Sequence, residues 1–416
     1  MSVRDPELGI LRQLAEEIAE IAALQVHAQT RESWCRLNSL QPVKPLVWSS
    51  EVCWHEADYE DELTPQTTSD FARSLETELR RQIYLWKHMP GDMLVEPVWY
   101  CPLVIHDTGF GIREEVKVAR TDEASSVVSR DFTPQIDSEA DLEKIQMPVV
   151  TDDAEATEQN YQRLVEVLDG ILQVEKRGLP WGGIAPWDEL IRWWDVEKCM
   201  LDLILRPELV HAAMERLIAA YLCRLDQLES QGLLALNHHR TGSGGFGYTH
   251  ELPQPDYVPG SPPRPLDMWG FATAQIFGDV SPAMHEEFAL RYELRWLERF
   301  GLNYYGCCEP LHNKVGILRS LPRLRKISIS PWADVEKSAE ELGREFVFSY
   351  KPNPAILAGH AWHPELARKR IREVLEKTQG CLVEIVLKDI STFEYEPQRL
   401  WEWSRICSEE AENFTP

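Results

Sequence analysis

Residues 301–350 read GLNYYGCCEPLHNKVGILRSLPRLRKISISPWADVEKSAEELGREFVFSY. Three short apolar runs, 302–305, 326–329 and 346–349, alternate here with helical patterns over 315–321 and 334–342. Strands that alternate with helices build parallel sheets. Gly343 stands just past its helix, where a left-handed cap is needed, and Gly380 does the same after the helical pattern 364–378. A further strand pattern, 382–387, follows.

Working outward from this stretch, strand patterns occur at 46–48, after Pro45, and at 98–105, ending in His106-Asp107 before a glycine turn. Two more occur at 179–184 and 233–236, with helical patterns over 157–176 and 207–231. Ser281-Pro282 opens another helix, with serine as cap and proline at the first helical position. Candidates starting near 46, 98, 180, 233, 302, 326, 346 and 382 number eight. Eight alternating strands predict an α/β fold of the (β/α)8, or TIM-barrel, type. An open doubly wound sheet also alternates, but no GxGxxG follows a strand.

Residues 1–42 read as an N-terminal helical extension, with Leu11, Leu14, Ala15, Ile18 and Ala22 on one stripe. The barrel then spans 43–416, with an insertion at about 112–150. Val116 and Val118, then Val127 and Val128, flank a charged turn at Thr121-Asp122-Glu123, which predicts a small hairpin or lid.

With 43 Lys+Arg against 68 Asp+Glu, the 416-residue chain carries a formal net charge of −25. That charge argues against a nucleic-acid partner, which needs a basic footprint. A hydrophobic content of 44% provides for a large core. No apolar run of membrane length and no signal-peptide pattern occurs. Nine scattered cysteines, an odd number, fit free thiols in the cytoplasm.

A (β/α)8 barrel carries its chemistry at the carboxyl ends of the strands. The candidates there are Glu51, His106 and Asp107, Asn237, His238 and His239 with Arg240 next, Cys307-Cys308-Glu309, Trp332 and Asp334, Tyr350 and Lys351, and Lys388 and Asp389. Thiolate, carboxylate and imidazole all suit zinc, so Cys307, Cys308, Glu309 and His238 are the expected metal ligands. Adjacent cysteines alternate sides along a strand, so both reach one point only if the chain bends. Two buried apolar cysteines are the simpler reading. The glycine-rich segment 241–248 is of a kind that brings backbone N–H groups to an anion.

Residues 266–355 resemble the uroporphyrinogen decarboxylase superfamily. The resemblance rests on Asp267-Met-Trp-Gly-Phe271, Ser281-Pro-Ala-Met284, Glu298-Arg-Phe-Gly-Leu302, Tyr305-Gly-Cys-Cys-Glu309 and Ile327-Ser-Ile-Ser-Pro-Trp-Ala-Asp334. Trp187-Asp188 and Arg206-Pro207-Glu208 extend it. It implies a (β/α)8 barrel, often dimeric. The superfamily holds porphyrinogen decarboxylases and zinc-dependent methyltransferases that work with corrinoid proteins. The decarboxylases' arginine motif is replaced here by Trp48-Ser-Ser-Glu-Val-Cys-Trp54. Cys307-Cys308 falls where the methyltransferases place His-x-Cys, without the histidine. Their further cysteine ends the last strand, whereas Cys381 begins it and Lys388-Asp389 ends it.

The resemblance therefore implies a methyltransferase that moves a methyl group between a small methylated substrate or thiol and a corrinoid protein, with zinc assistance. In that reading His106, Asp107 and Glu309 act in catalysis, and Glu51, Arg240, Trp332, Lys351 and Lys388 bind substrate. Two alternatives stand beside it. One is a metal-free decarboxylase or lyase acting on an acidic tetrapyrrole-like substrate. The other is a ligand-binding barrel without turnover.

Overall fold

The apolar runs of the C-terminal third form strands because nearly every residue in them is buried on both faces: Leu302–Tyr305, Leu324–Ile329, Val347–Tyr350 and Leu382–Leu387. The structure, a computed structural model, describes residues 5–120 and 128–414. Seven strands form one parallel sheet in the order Leu46–Ser49, Leu382–Leu387, Val347–Tyr350, Leu324–Ile329, Leu302–Tyr305, Trp269–Ala272, Gly183–Ile184. Helices follow most strands, so the fold is α/β.

A parallel pair, Val98–Pro102 with Gln173–Arg177, lies beside this sheet. Among the described residues no strand pairing joins Val98–Pro102 to Leu46–Ser49, so the hydrogen-bonded sheet is not closed. The expected strand set also shifts. The 233–236 run contributes only a bridge from Leu234 to Leu179. Beyond it, Asn237 leaves the ladder and uses its side chain, donating to Trp269 O at 2.8 Å and accepting from Trp269 N at 2.9 Å. That side chain replaces a backbone pair, and Trp269–Ala272 takes the place in the sheet. The helix expected over 157–176 ends at Leu168, because Gly170 turns the chain with φ +76°, and Gln173–Arg177 continues as strand.

At the N-terminus lie the helices Asp5–Ala22 and Val26–Asn38. Ile105–Asp107 pairs antiparallel with Val150–Asp152 and brackets the insertion, in which Val116–Ala119 pairs with Ser129–Phe132. Val127 and the Thr121-Asp122-Glu123 turn lie outside the described residues. No described helix is long and apolar enough to cross a membrane.

One face of the sheet packs under helices. There the fully buried Tyr305 hydroxyl donates to Glu293 Oε2 at 2.8 Å and lies 2.7 Å from His285 Nε2. The other face carries polar groups at two-residue spacing, and the strand register sets Ser328, Ser349 and Glu384 in one row. Segment 241–248 covers this face. A Cβ on Gly245 would lie 2.4 Å from the Trp34 ring, and Gly242, at φ +55°, meets Phe271 at the same distance. The glycines expected to cradle an anion are thus packing contacts, and the segment is buried throughout.

Candidate active site

All seven sheet strands run in one direction, so their carboxyl ends gather Cys307, Cys308, Lys351 and Lys388 at one edge. Gly306 supplies the bend that two adjacent cysteines need. Its φ of +92° turns the chain at the strand end, and a Cβ there would lie 2.4 Å from Leu311 Cδ1. As a result Cys307 Sγ and Cys308 Sγ lie 3.6 Å apart. Asp389, at the end of the last strand, is also left-handed at φ +58°, a conformation aspartate tolerates better than most residues.

Lys388 Nζ donates to Cys308 Sγ at 3.6 Å and to Asp389 Oδ2. Asp389 Oδ2 also lies 3.7 Å from Cys308 Sγ. Of the two thiols, Cys307 is the one whose ionisation the surroundings favour. Hydrogen bonding from Cys308 lowers the Cys307 pKa, and the ammonium groups of Lys388 and Lys351 add to this against the cost of burial. The Cys308 thiol is pushed up, first by Cys307 and then by burial, with Asp389 opposing its ionisation. Burial would lower the Lys388 pKa, but the thiol pair and Asp389 more than offset it and raise it. Lys351, only 2% exposed, is pushed down to about 8 by burial. Its ammonium donates to Tyr304 Oη at 2.9 Å and Ser349 Oγ at 2.6 Å.

Glu51 ties this edge to its neighbours. It accepts from Asp389 N at 2.8 Å and from Arg240 at 3.3 Å. A cavity of about 520 Å³ opens there, lined by Ser49 to Val52, Trp54, Leu85 and Asp389 to Ser391. Trp332 projects from the same edge, 69% exposed.

The other expected site residues do not join the thiol pair as ligands or partners of its sulfurs. Glu309 is buried, with its carboxylate accepting from Thr273 Oγ1 at 2.9 Å, Ala274 N at 3.3 Å and Cys307 N at 2.9 Å. It holds the turn that presents Cys307. His238 sits with His239 and Glu96. His106 and Asp107 do not end a barrel strand as their sequence context predicts: that strand stops at Pro102, and both residues fall on the antiparallel pair at the insertion. His106 is exposed beside Asp153, and Asp107 pairs with Arg224 at 2.7 Å.

Asp389 lies at this edge as its place after the last strand predicts, whereas Asp188 was not among the expected site residues. Asp188, whose pKa burial raises, accepts from Gln275 at 2.6 Å and lines a second cavity of about 380 Å³ with Trp181 and Phe271. Cys381 begins the last strand and points its thiol at Ala339 O, 3.7 Å away, whereas Lys388 follows that strand at the thiol edge.

The four groups expected to hold zinc are therefore not brought together. Two sulfurs converge, but Glu309 is taken up by its own turn and His238 by another cluster. Against Cys308 lies the Lys388 ammonium.

No protein-family model and no curated protein matches the sequence. Among solved structures, a methyltransferase from Methanosarcina mazei matches with a TM-score of 0.51 at 11% identity, over 92% of this chain and 98% of that one. The likeness concerns the fold.

Proposed function

We propose that this chain is a methyltransferase of the uroporphyrinogen decarboxylase superfamily, built as a (β/α)8 barrel, whose reacting group is the Cys307 thiolate. In this barrel Val98–Pro102 and the stretch from Gln173 to Ile184 complete the wall of the seven-stranded sheet. Segment 238–248 fills the remaining gap, with Phe246 against Trp48 and His239 against Tyr100. The length of the structural match supports this form. The observation that carries the function is the paired thiols facing two lysines at the carboxyl edge of a parallel sheet.

The thiolate attacks the methyl carbon of a methylated donor. A sulfur–carbon bond forms, the bond from that carbon to the donor atom breaks, and its electron pair leaves with the donor. A second displacement passes the methyl group to the acceptor. One of the two exchange partners is a small methylated molecule or thiol, and the other is a corrinoid carried by a partner protein. Lys388 stabilises the thiolate before attack, and Lys351, whose pKa burial lowers to about 8, exchanges protons with the acceptor. The donor set does not fit zinc at this pair, so no step is routed through a metal. The nine free thiols fit a reducing, cytoplasmic setting. A decarboxylase reading is disfavoured because Arg240 and Lys388 already face Glu51 and Asp389 and leave little for substrate carboxylates.

Lys388→Met tests this reading. Alkylation of Cys307 in the wild type should reach half its maximum below the ordinary thiol pKa of about 8.5. In the variant that midpoint should move up. Methyl uptake from methylcobalamin or a methylated thioether should fall at neutral pH and recover as the pH is raised. An unchanged midpoint, or a wild type that takes no methyl group from either donor, contradicts the proposal.

A further inference from the structure

A second cluster lies outside the thiol edge. Glu96 precedes Val98–Pro102, and His238 and His239 follow the bridge at Leu234. Their ligand atoms lie within 4.8 Å of one another. Glu96 Oε2 is 3.2 Å from His239 Nε2 and 3.9 Å from His238 Nε2. The shorter contact is an ion pair out of line for a hydrogen bond, and His239 Nε2 makes no other polar contact. An imidazole nitrogen and a carboxylate oxygen facing each other at this distance can both bind one cation placed between them.

We propose that Glu96, His238 and His239 form a binding site for a divalent transition-metal ion of the zinc class. Zinc bonds of about 2.0–2.2 Å at tetrahedral angles place neighbouring ligand atoms about 3.2–3.6 Å apart. The Glu96–His239 distance already meets this, and the His238 ring closes the remainder by a small rotation.

The carboxylate is held as a metal ligand needs to be. Tyr248 Oη donates to Oε1 at 3.0 Å, Arg31 pairs with the same oxygen, and Tyr100 Oη donates to Oε2 at 3.1 Å. Arg31 thus neutralises one oxygen and leaves Oε2 directed at the imidazoles. Such outer partners orient ligands and tune their basicity. His238 also borders a cavity of about 400 Å³ beside Tyr100 and Arg177, which gives a fourth coordination position access to solvent or to a small anion.

The next residue after His239 is Arg240, which reaches Glu51 and through it Asp389. A metal at this cluster would therefore fix the segment that borders the thiol edge while using none of its sulfurs.

Titration of the full chain with Co²⁺ tests the site. The wild type should bind one ion with visible ligand-field bands and no thiolate-to-cobalt charge-transfer band. The Cys307→Ser/Cys308→Ser double variant should keep both spectrum and affinity. Glu96→Gln and His239→Ala should weaken binding by more than the roughly 10–100-fold that loss of an outer partner costs, and Tyr248→Phe should fall within that range. X-ray absorption of the cobalt-loaded wild type, which needs no variant to fold, should show imidazole and oxygen ligands without sulfur. A sulfur shell, binding lost in the double cysteine variant, or unchanged affinity in Glu96→Gln would overturn the proposal.

Discussion

Cys307→Ser is expected to reduce methyl transfer by several orders of magnitude, to the level set by binding alone, because a serine hydroxyl is not ionised near neutral pH. The neighbouring substitution should behave differently. In Cys308→Ser the hydroxyl still donates to Cys307 across the 3.6 Å gap, so the loss should be about tenfold, the effect of weakening one charge-assisted hydrogen bond. Cys381→Ser should leave transfer unchanged, since that thiol sits at the opposite end of the last strand against Ala339. Initial rates of methyl transfer for the three variants separate the roles. Equal losses in Cys307→Ser and Cys308→Ser would show that the two sulfurs act as one ligand pair rather than as nucleophile and donor.

The second large effect concerns stability. Lys326 and Glu384 are both fully buried and form an ion pair at 2.8 Å on the polar face of the sheet. Burial alone would raise the Glu384 pKa, but Lys326 and Lys351 more than offset this and lower it. Ser349 Oγ, which Lys351 holds, donates to the same carboxylate. Lys326→Met strands that carboxylate and should destabilise the fold by about 3–5 kcal/mol in urea unfolding. The double variant Lys326→Met/Glu384→Leu removes both charges and should recover most of that loss, since apolar replacement of a buried pair is often neutral. A single variant as stable as wild type would show that water reaches this face.

Much of this architecture is legible in local pattern. The strands at 302–305 and 382–387 coincide with the apolar runs, and those near 326 and 347 differ by a residue or two. Trp269–Ala272 was not legible as a strand. It is four residues long, holds no β-branched side chain, and contains Gly270, where a Cβ would lie 2.2 Å from Asn303 Oδ1. The 233–236 run looked more strand-like and supplies one bridge, because Asn237 completes the pairing with its side chain.

At the site, Cys307, Cys308, Lys351 and Lys388 could be found because each lies within three residues of a strand's carboxyl end. Gly306 before the cysteines was the local sign of the bend that turns both sulfurs to one place. The polar face was also written in the sequence, as Lys326, Ser328 and Ser330 alternate with isoleucines and Glu384 interrupts an aliphatic run. His238 was misplaced for a different reason. Its partner Glu96 is far away in sequence, and such a pairing leaves no trace in spacing. The reading of His106 and Asp107 depended on extending one strand three residues past its end at Pro102.

The most direct measurement is to locate the methyl group itself. Wild-type protein incubated with an isotopically labelled methyl donor, without acceptor, should be digested and mapped by mass spectrometry. The account predicts a single labelled S-methyl group on Cys307, reduced in Lys388→Met at neutral pH and removed when acceptor is added. Label on Cys308 or another residue, or transfer that proceeds with no labelled protein at any time, would contradict it.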